Sequence, residues 1–165
     1  MIDAGFKGQS AGAHTMAFAY YMCAIHLGEP KSEWYDDEEY ETTLALYTNA
    51  VALSWAVGEY LKTEELLEII FTNARTPSDR MHAYQVQARY YFGCQLHSKG
   101  RETLFRCLDE LGDEKRRLNT SDEALKRLFN EVEELVETLG ESAILQLPGC
   151  NDPSLVGTLG VMEEL

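Results

Sequence analysis

The chain has 165 residues, 45% of them hydrophobic and 25% charged, enough for one globular domain with a real core. Its 28 acidic against 14 basic residues give a net charge of −14. That balance argues against nucleic acid, whose phosphates require Lys and Arg, and against anionic membrane surfaces.

No apolar run approaches the ~20 residues that span a bilayer, so no membrane contact is expected. Residues 1–10 lack the basic start and apolar core of a signal peptide and, with Gly5 and Gly8, read as a loose N-terminus. Gly5, Gly8 and Gly12 lack the GK[ST] ending of a phosphate-binding loop.

The first predicted helix covers 11–27 and stops at Gly28-Glu29-Pro30, where Gly permits a left-handed cap and Pro cannot continue a helix. A polar connector holding Trp34 follows. The second helix is expected from Asp36, which has capping-box spacing to Glu39. Tyr40, Leu44, Tyr47, Val51 and Trp55 form one apolar row, and Leu46, Ala50, Leu53 and Val57 a second, so this helix should be sandwiched between neighbours. Gly58 ends it. The third helix, 60–73, turns Leu66, Leu67 and Ile70 inward, and the short connection makes 36–74 an antiparallel hairpin.

After the break Arg75-Thr76-Pro77-Ser78, the fourth helix is predicted over 79–97, with a turn at Ser98-Lys99-Gly100 and a fifth helix over 101–111. These form a second hairpin, 79–111. Thr120 and Glu123 have capping-box spacing before a sixth helix with the cleanest period in the chain: Leu125, Leu128, Phe129, Val132, Leu135, Val136 and Leu139. Residues 141–150 read as irregular, and Asp152-Pro153 opens a last helix to residue 165, so 120–165 closes the structure. No segment alternates with a period of two. The class is all-α: antiparallel hairpins stacked as a short tetratricopeptide-like α-solenoid of about seven helices, one helical-repeat domain over 1–165.

Tyr20-Tyr21-Met22-Cys23-Ala24-Ile25-His26 echoes Tyr90-Tyr91-Phe92-Gly93-Cys94-Gln95-Leu96-His97. The two cysteines are 94 − 23 = 71 positions apart, close to two 34-residue helix–turn–helix units. The echo yields two Cys-x-x-His pairs, Cys23/His26 and Cys94/His97, each on one helix face if the stretch is helical. One zinc site would need both pairs together, which a solenoid keeps apart, so cysteines packed as small hydrophobes are the better reading. The four cysteines, Cys150 included, lack tight spacing, and reduced thiols in a cytoplasmic protein are expected. His14 and His82 have no spacing that suggests a triad, and no Glu-x-x-His appears. No catalytic residue, metal or cofactor is expected. Aromatic residues at helical spacing are mostly core. Among them Tyr20, Trp34, Tyr47, Tyr84 and Tyr91 are the candidates for lining an interaction surface.

The order Trp34…Tyr40-x-x-Thr43-Leu44-x-Leu46-Tyr47-x-x-Ala50, then Gly58-x-Tyr60, then Phe71-x-x-Ala74-x-Thr76-x-x-Asp79-Arg80, resembles the first hairpin of a helical region in large signalling proteins. There a Ser/Thr kinase-like domain and a STAND-type AAA ATPase precede tetratricopeptide-like helices, and sensor, histidine kinase or cyclase domains follow. Ser142-x-Ile144-x-x-Leu147-Pro148…Asp152-Pro153 resembles the segment that closes that region, so the likeness runs over 17–165. The expected fifth helix is shorter than its counterpart, and Gly100 falls where a longer helix would start. The resemblance implies no catalytic residue in this region.

The function expected is a scaffold or regulatory module whose partner is a protein, a peptide or a neighbouring ATPase or kinase domain. Self-association through the first helix, which reads as half a pair, is a further expectation. The alternatives are a small all-α enzyme or ligand-binding bundle, with an enclosed pocket where Tyr, His and Glu converge, and a fragment with no independent role.

Overall fold

The computed structural model describes residues 2–28, 34–112, 122–140 and 152–163, with residues 143, 146 and 149 between the last two stretches. Among the described residues there are eight α-helices and no strand: α1 Ile2–Ser10, α2 His14–Leu27, α3 Tyr40–Ala56, α4 Tyr60–Asn73, α5 Pro77–Gly93, α6 His97–Leu111, α7 Asp122–Leu139 and α8 Pro153–Met162. The expected all-α, solenoid-like arrangement is what the chain adopts. α1 packs on α2, α3 on α4, and α5 on α6, while α2 meets α3, and both α3 and α4 meet α5. Three hairpins thus lean on one another in chain order.

One turn closes all three hairpins. Gly12, Gly58 and Gln95 hold φ of 75°, 82° and 61°. The following residues, Ala13, Glu59 and Leu96, have φ/ψ of −85/60°, −83/62° and −89/56° and serve as N-caps of the next helix. Each donates its backbone N–H to a carbonyl five residues back: Ala13 to Gly8 (2.8 Å), Glu59 to Ser54 (2.9 Å) and Leu96 to Tyr91 (2.8 Å). This is the 6→1 bond of a Schellman ending, which places a left-handed residue where Gly is least strained.

Several expectations change. Residues 2–10 are a helix rather than a loose terminus. Gly5 and Gly8 share one face of α1, where a Cβ on Gly5 would come 2.7 Å from the Tyr21 ring and one on Gly8 3.3 Å from Ala17. The glycines let two helices approach closely. The helix expected over 11–27 therefore has a partner on each side, α1 and α3, and the premise for self-association through it falls away.

The fourth helix stops at Gly93, not His97, and the turn is Cys94-Gln95-Leu96. Ser98-Lys99-Gly100 lies inside α6, so that helix is longer than expected. Gly100 is buried there because a Cβ would run into the Phe92 ring of α5. Asp36 does not cap α3. Its carboxylate accepts from the Glu38 N–H (2.9 Å) in a local turn, and the helix opens at Tyr40. Gly28 ends α2 as expected but in an extended conformation (φ −75°), not a left-handed one. Thr76 and Asp79 form a reciprocal capping box with Pro77 in the first turn of α5, a start signal within what had read only as a break. The Thr120 cap, the Glu29-Pro30 stop, Cys150, most of the 142–148 closing segment and the last helix beyond residue 163 lie outside the described residues.

The core comes in two parts. The larger joins α2, α3 and α4 through Tyr21, Tyr47, Ala50, Val51, Leu66, Leu67 and Ile70. The smaller joins α5, α6 and α8 through Tyr84, Ala88, Leu104, Cys107 and Val161, with Phe71 of α4 packed against it. α8 seals the third hairpin: fully buried Val161 sits between α5 and α6.

Candidate functional site

The five candidate surface aromatics separate once the chain is folded. Trp34 and Tyr47 are buried, their rings 5.2 Å apart, with Tyr40 5.9 Å from Trp34. Tyr84 is buried against Phe71 at 4.7 Å and lines a hollow with little of its surface exposed. These three cannot present a ring face, because their apolar area is used in the core. Tyr20 stays at the surface of α2, and Tyr91 lines a cleft.

That cleft lies between α4 and α5. Glu64, Leu67, Glu68, Phe71 and Thr72 form one wall and Gln87, Tyr90 and Tyr91 the other, enclosing about 380 Å³. Glu64, Glu68 and Thr72 are exposed, so the cleft opens directly to solvent. Tyr90 donates to Glu64 at 3.0 Å, and that bond, with a smaller contribution from burial, raises the Tyr90 pKa. Rings cluster at this end: Trp55, Tyr60 and Tyr90 lie within 5.5–6.0 Å of one another, and Tyr91 stands 5.6 Å from Tyr90. Trp55 reaches the group because Gly93 leaves room for it; a Cβ there would lie 2.5 Å from the indole. Lys99 Nζ is 5.9 Å from the Tyr91 ring centre.

Through Phe71 and Gln87 the cleft continues into a second hollow of about 340 Å³, lined also by Arg80, Tyr84, Arg106 and Glu110. Here Arg80 pairs with Glu110 (3.0 Å), and Tyr84 donates to the other Glu110 oxygen (2.6 Å). Burial first, then the Glu110 bond, pushes the Tyr84 pKa up to about 12. One end of the trough is therefore aromatic and acidic, and the other carries guanidinium groups. Neither hollow has a histidine in its lining. Glu64, Glu68 and Gln87 were not legible as surface residues in the sequence, since nothing distinguishes them from other solvated helix positions; Tyr90 had a signal in its place beside Tyr91.

A second constellation joins the hairpins. Tyr40 Oη, at the start of α3, donates to Asp79 Oδ2 (2.6 Å) and accepts from the Arg75 N–H (2.8 Å). The Arg75 guanidinium lies 4.1 Å over the Tyr40 ring and pairs with Asp37. Burial, then the Asp79 bond, pushes the Tyr40 pKa up to about 12. The spacing of Tyr40, Ala74, Thr76 and Asp79 thus has a structural explanation: these residues tie the start of α3 to the α4–α5 corner.

The two Cys-x-x-His pairs are not equivalent. Cys23 and His26 are exposed on α2, where His26 Nδ1 is 2.6 Å from the Met22 carbonyl. Cys94 and His97 lie on opposite sides of a turn, and His97 stacks on Phe92 at 6.1 Å. Cys23, Cys94 and Cys107 are free thiols. Cys107 is inside the core, where burial raises its pKa to about 12. Among the described residues no group of three or more His, Cys, Asp or Glu is placed to hold a metal, and no helix is long and apolar enough to cross a membrane. No protein-family model, curated protein or solved structure matches the chain.

Proposed function

We propose that the chain is a non-catalytic protein-interaction module, a scaffold or regulatory spacer akin to the tetratricopeptide-like helical region of ATPase-coupled signalling kinases. The observation that carries this reading is the trough along α4 and α5. Ring faces of Tyr90, Tyr91 and Phe71, carboxylates of Glu64 and Glu68, and the guanidinium end at Arg80 and Arg106 line a surface suited to an extended peptide or a loop of an adjoining domain. Stacked hairpins hold that surface without closing it. A cytoplasmic setting goes with this reading, since two exposed thiols are free.

The test is site-specific photocrosslinking in cells of the source. A photoreactive residue is placed at Thr72, in the trough, or at Glu102, on the exposed side of α6. A protein adduct formed from position 72 and absent from position 102 supports the proposal, and an ATPase or kinase in that adduct ties it to signalling. Identical adduct patterns from both positions overturn it.

A further inference from the structure

The trough along α4 and α5 is electrically divided. Tyr91, Gln87, Tyr84 and Arg80 follow one another at steps of four, three and four residues, so one face of α5 runs its length, ~16 Å. α4 flanks the Tyr91 end with Glu64 and Glu68, and α6 flanks the Arg80 end with Arg106 and Glu110. Phe71 and Gln87 belong to both hollows and join them.

The described lining of the first hollow holds two carboxylates and no basic group. Lys99, 5.9 Å from the Tyr91 ring centre, can offset one of them, which leaves one negative charge. The described lining of the second holds two guanidiniums and one carboxylate, an excess of one positive charge in a chain of net charge −14. That carboxylate, Glu110, is already engaged through both oxygens by Arg80 and Tyr84. Arg106 is exposed to solvent.

An occupant that balances both ends carries a cation and an anion a set distance apart. The span sets the spacing: an extended chain advances ~3.3 Å per residue, so ~16 Å takes about five residues. The size of the excess sets the anion. A carboxylate cancels one positive charge, whereas a phosphate dianion would leave negative charge facing Glu110. Gln87, midway, has an amide that can donate to and accept from a peptide backbone.

We infer that the trough reads an extended peptide by a pair of charges: a Lys or Arg side chain against Glu64 and Glu68, and, about five residues along, an Asp or Glu carboxylate against Arg106. This rests on the interaction-module reading and names the partner's chemistry at that same surface. Opposite charges at a set spacing fix the register and select against wholly acidic or wholly basic segments.

The experiment titrates the intact chain, by calorimetry, with a short peptide blocked at both ends. It carries one Lys and one Asp about five positions apart around an apolar middle. Replacing its Asp by Asn, or its Lys by Gln, should weaken binding about threefold to fivefold, the range for exposed ion pairs. Arg106→Glu should weaken the parent peptide about tenfold, since attraction becomes repulsion, and should abolish the advantage of Asp over Asn while keeping that of Lys over Gln. Glu68→Lys should do the reverse. Both side chains are exposed, so neither variant should shift the melting midpoint. Setting Lys and Asp side by side should cost as much as deleting one of them.

No measurable binding of the parent peptide overturns the inference. So does equal binding of charged and neutral peptides, or an Arg106→Glu variant that weakens all peptides alike. Phosphoserine in place of Asp that tightens binding tenfold or more also overturns it, because the site then takes a dianion. Adducts from position 72 read occupancy of the trough whatever the charges, so their presence without charge coupling removes this inference and leaves the interaction module in place.

Discussion

Helices α4 and α7 have opposite fates despite similar designs. α4 buries Thr63, Leu66, Leu67 and Ile70 between α3 and α5, while α7, with the cleaner apolar period, leaves all of its described large apolar side chains in water. Periodicity states what a helix needs on one face. It does not say whether the same chain supplies it. α4 finds cover because a three-residue turn folds it directly onto α3.

The sharpest test of that contrast is a pair of alanine substitutions read by chemical denaturation. Ile70→Ala should cost about 2–5 kcal/mol, because it opens a cavity in a fully buried site. Leu135→Ala should change stability by less than about 0.5 kcal/mol, the range for exposed positions. Comparable losses at both sites would erase the distinction.

A smaller effect is expected at the joint that holds α4 in place. Tyr40→Phe removes a hydroxyl that bonds Asp79 and the Arg75 backbone, and should cost about 1–3 kcal/mol by urea titration. No loss would mean that packing alone sets the hairpin corner.

At the third turn, Gln95→Gly should raise stability by about 1 kcal/mol, since a side chain at φ 61° is strained and Gly12 and Gly58 already occupy the equivalent places. A destabilised variant would show that the Gln95 side chain contributes more than the backbone strain removes.

The alkaline limb gives the finest discrimination. Tyr40 and Tyr84 titrate near 12 when folded against about 10 when unfolded, so the folded state holds their protons more tightly. Their contribution is complete below pH 10 and is lost as pH rises from 10 to 12. Melting midpoints should fall across that window, and the double variant Tyr40→Phe, Tyr84→Phe should flatten the fall.

The all-α class and the α3–α4 hairpin were legible because apolar rows and Gly58 mark them without ambiguity. The hairpin 79–111 was legible too, but its turn was misplaced because Gln95 stands where two sister turns have Gly, so Gly100 took the role of turn residue when it is a contact with Phe92. The N-terminal helix was missed for the same kind of reason: Gly5 and Gly8 lower helix propensity, and only the approach of Tyr21 and Ala17 shows their use. Of the residues that line the trough, Tyr91 was among the aromatics the sequence put forward. The carboxylates beside it become neighbours only when α4 meets α5, 26 residues apart in the case of Glu64 and Tyr90.

The Tyr40 joint has a mechanical consequence. To rotate the α5–α6 hairpin against α3, the chain must break Tyr40–Asp79 and Tyr40–Arg75 and slide a guanidinium off a ring in the same motion. The contact between the second and third hairpins is thus held by directional bonds as well as by apolar packing, and a change in its angle would be felt at Tyr40 before the core opens.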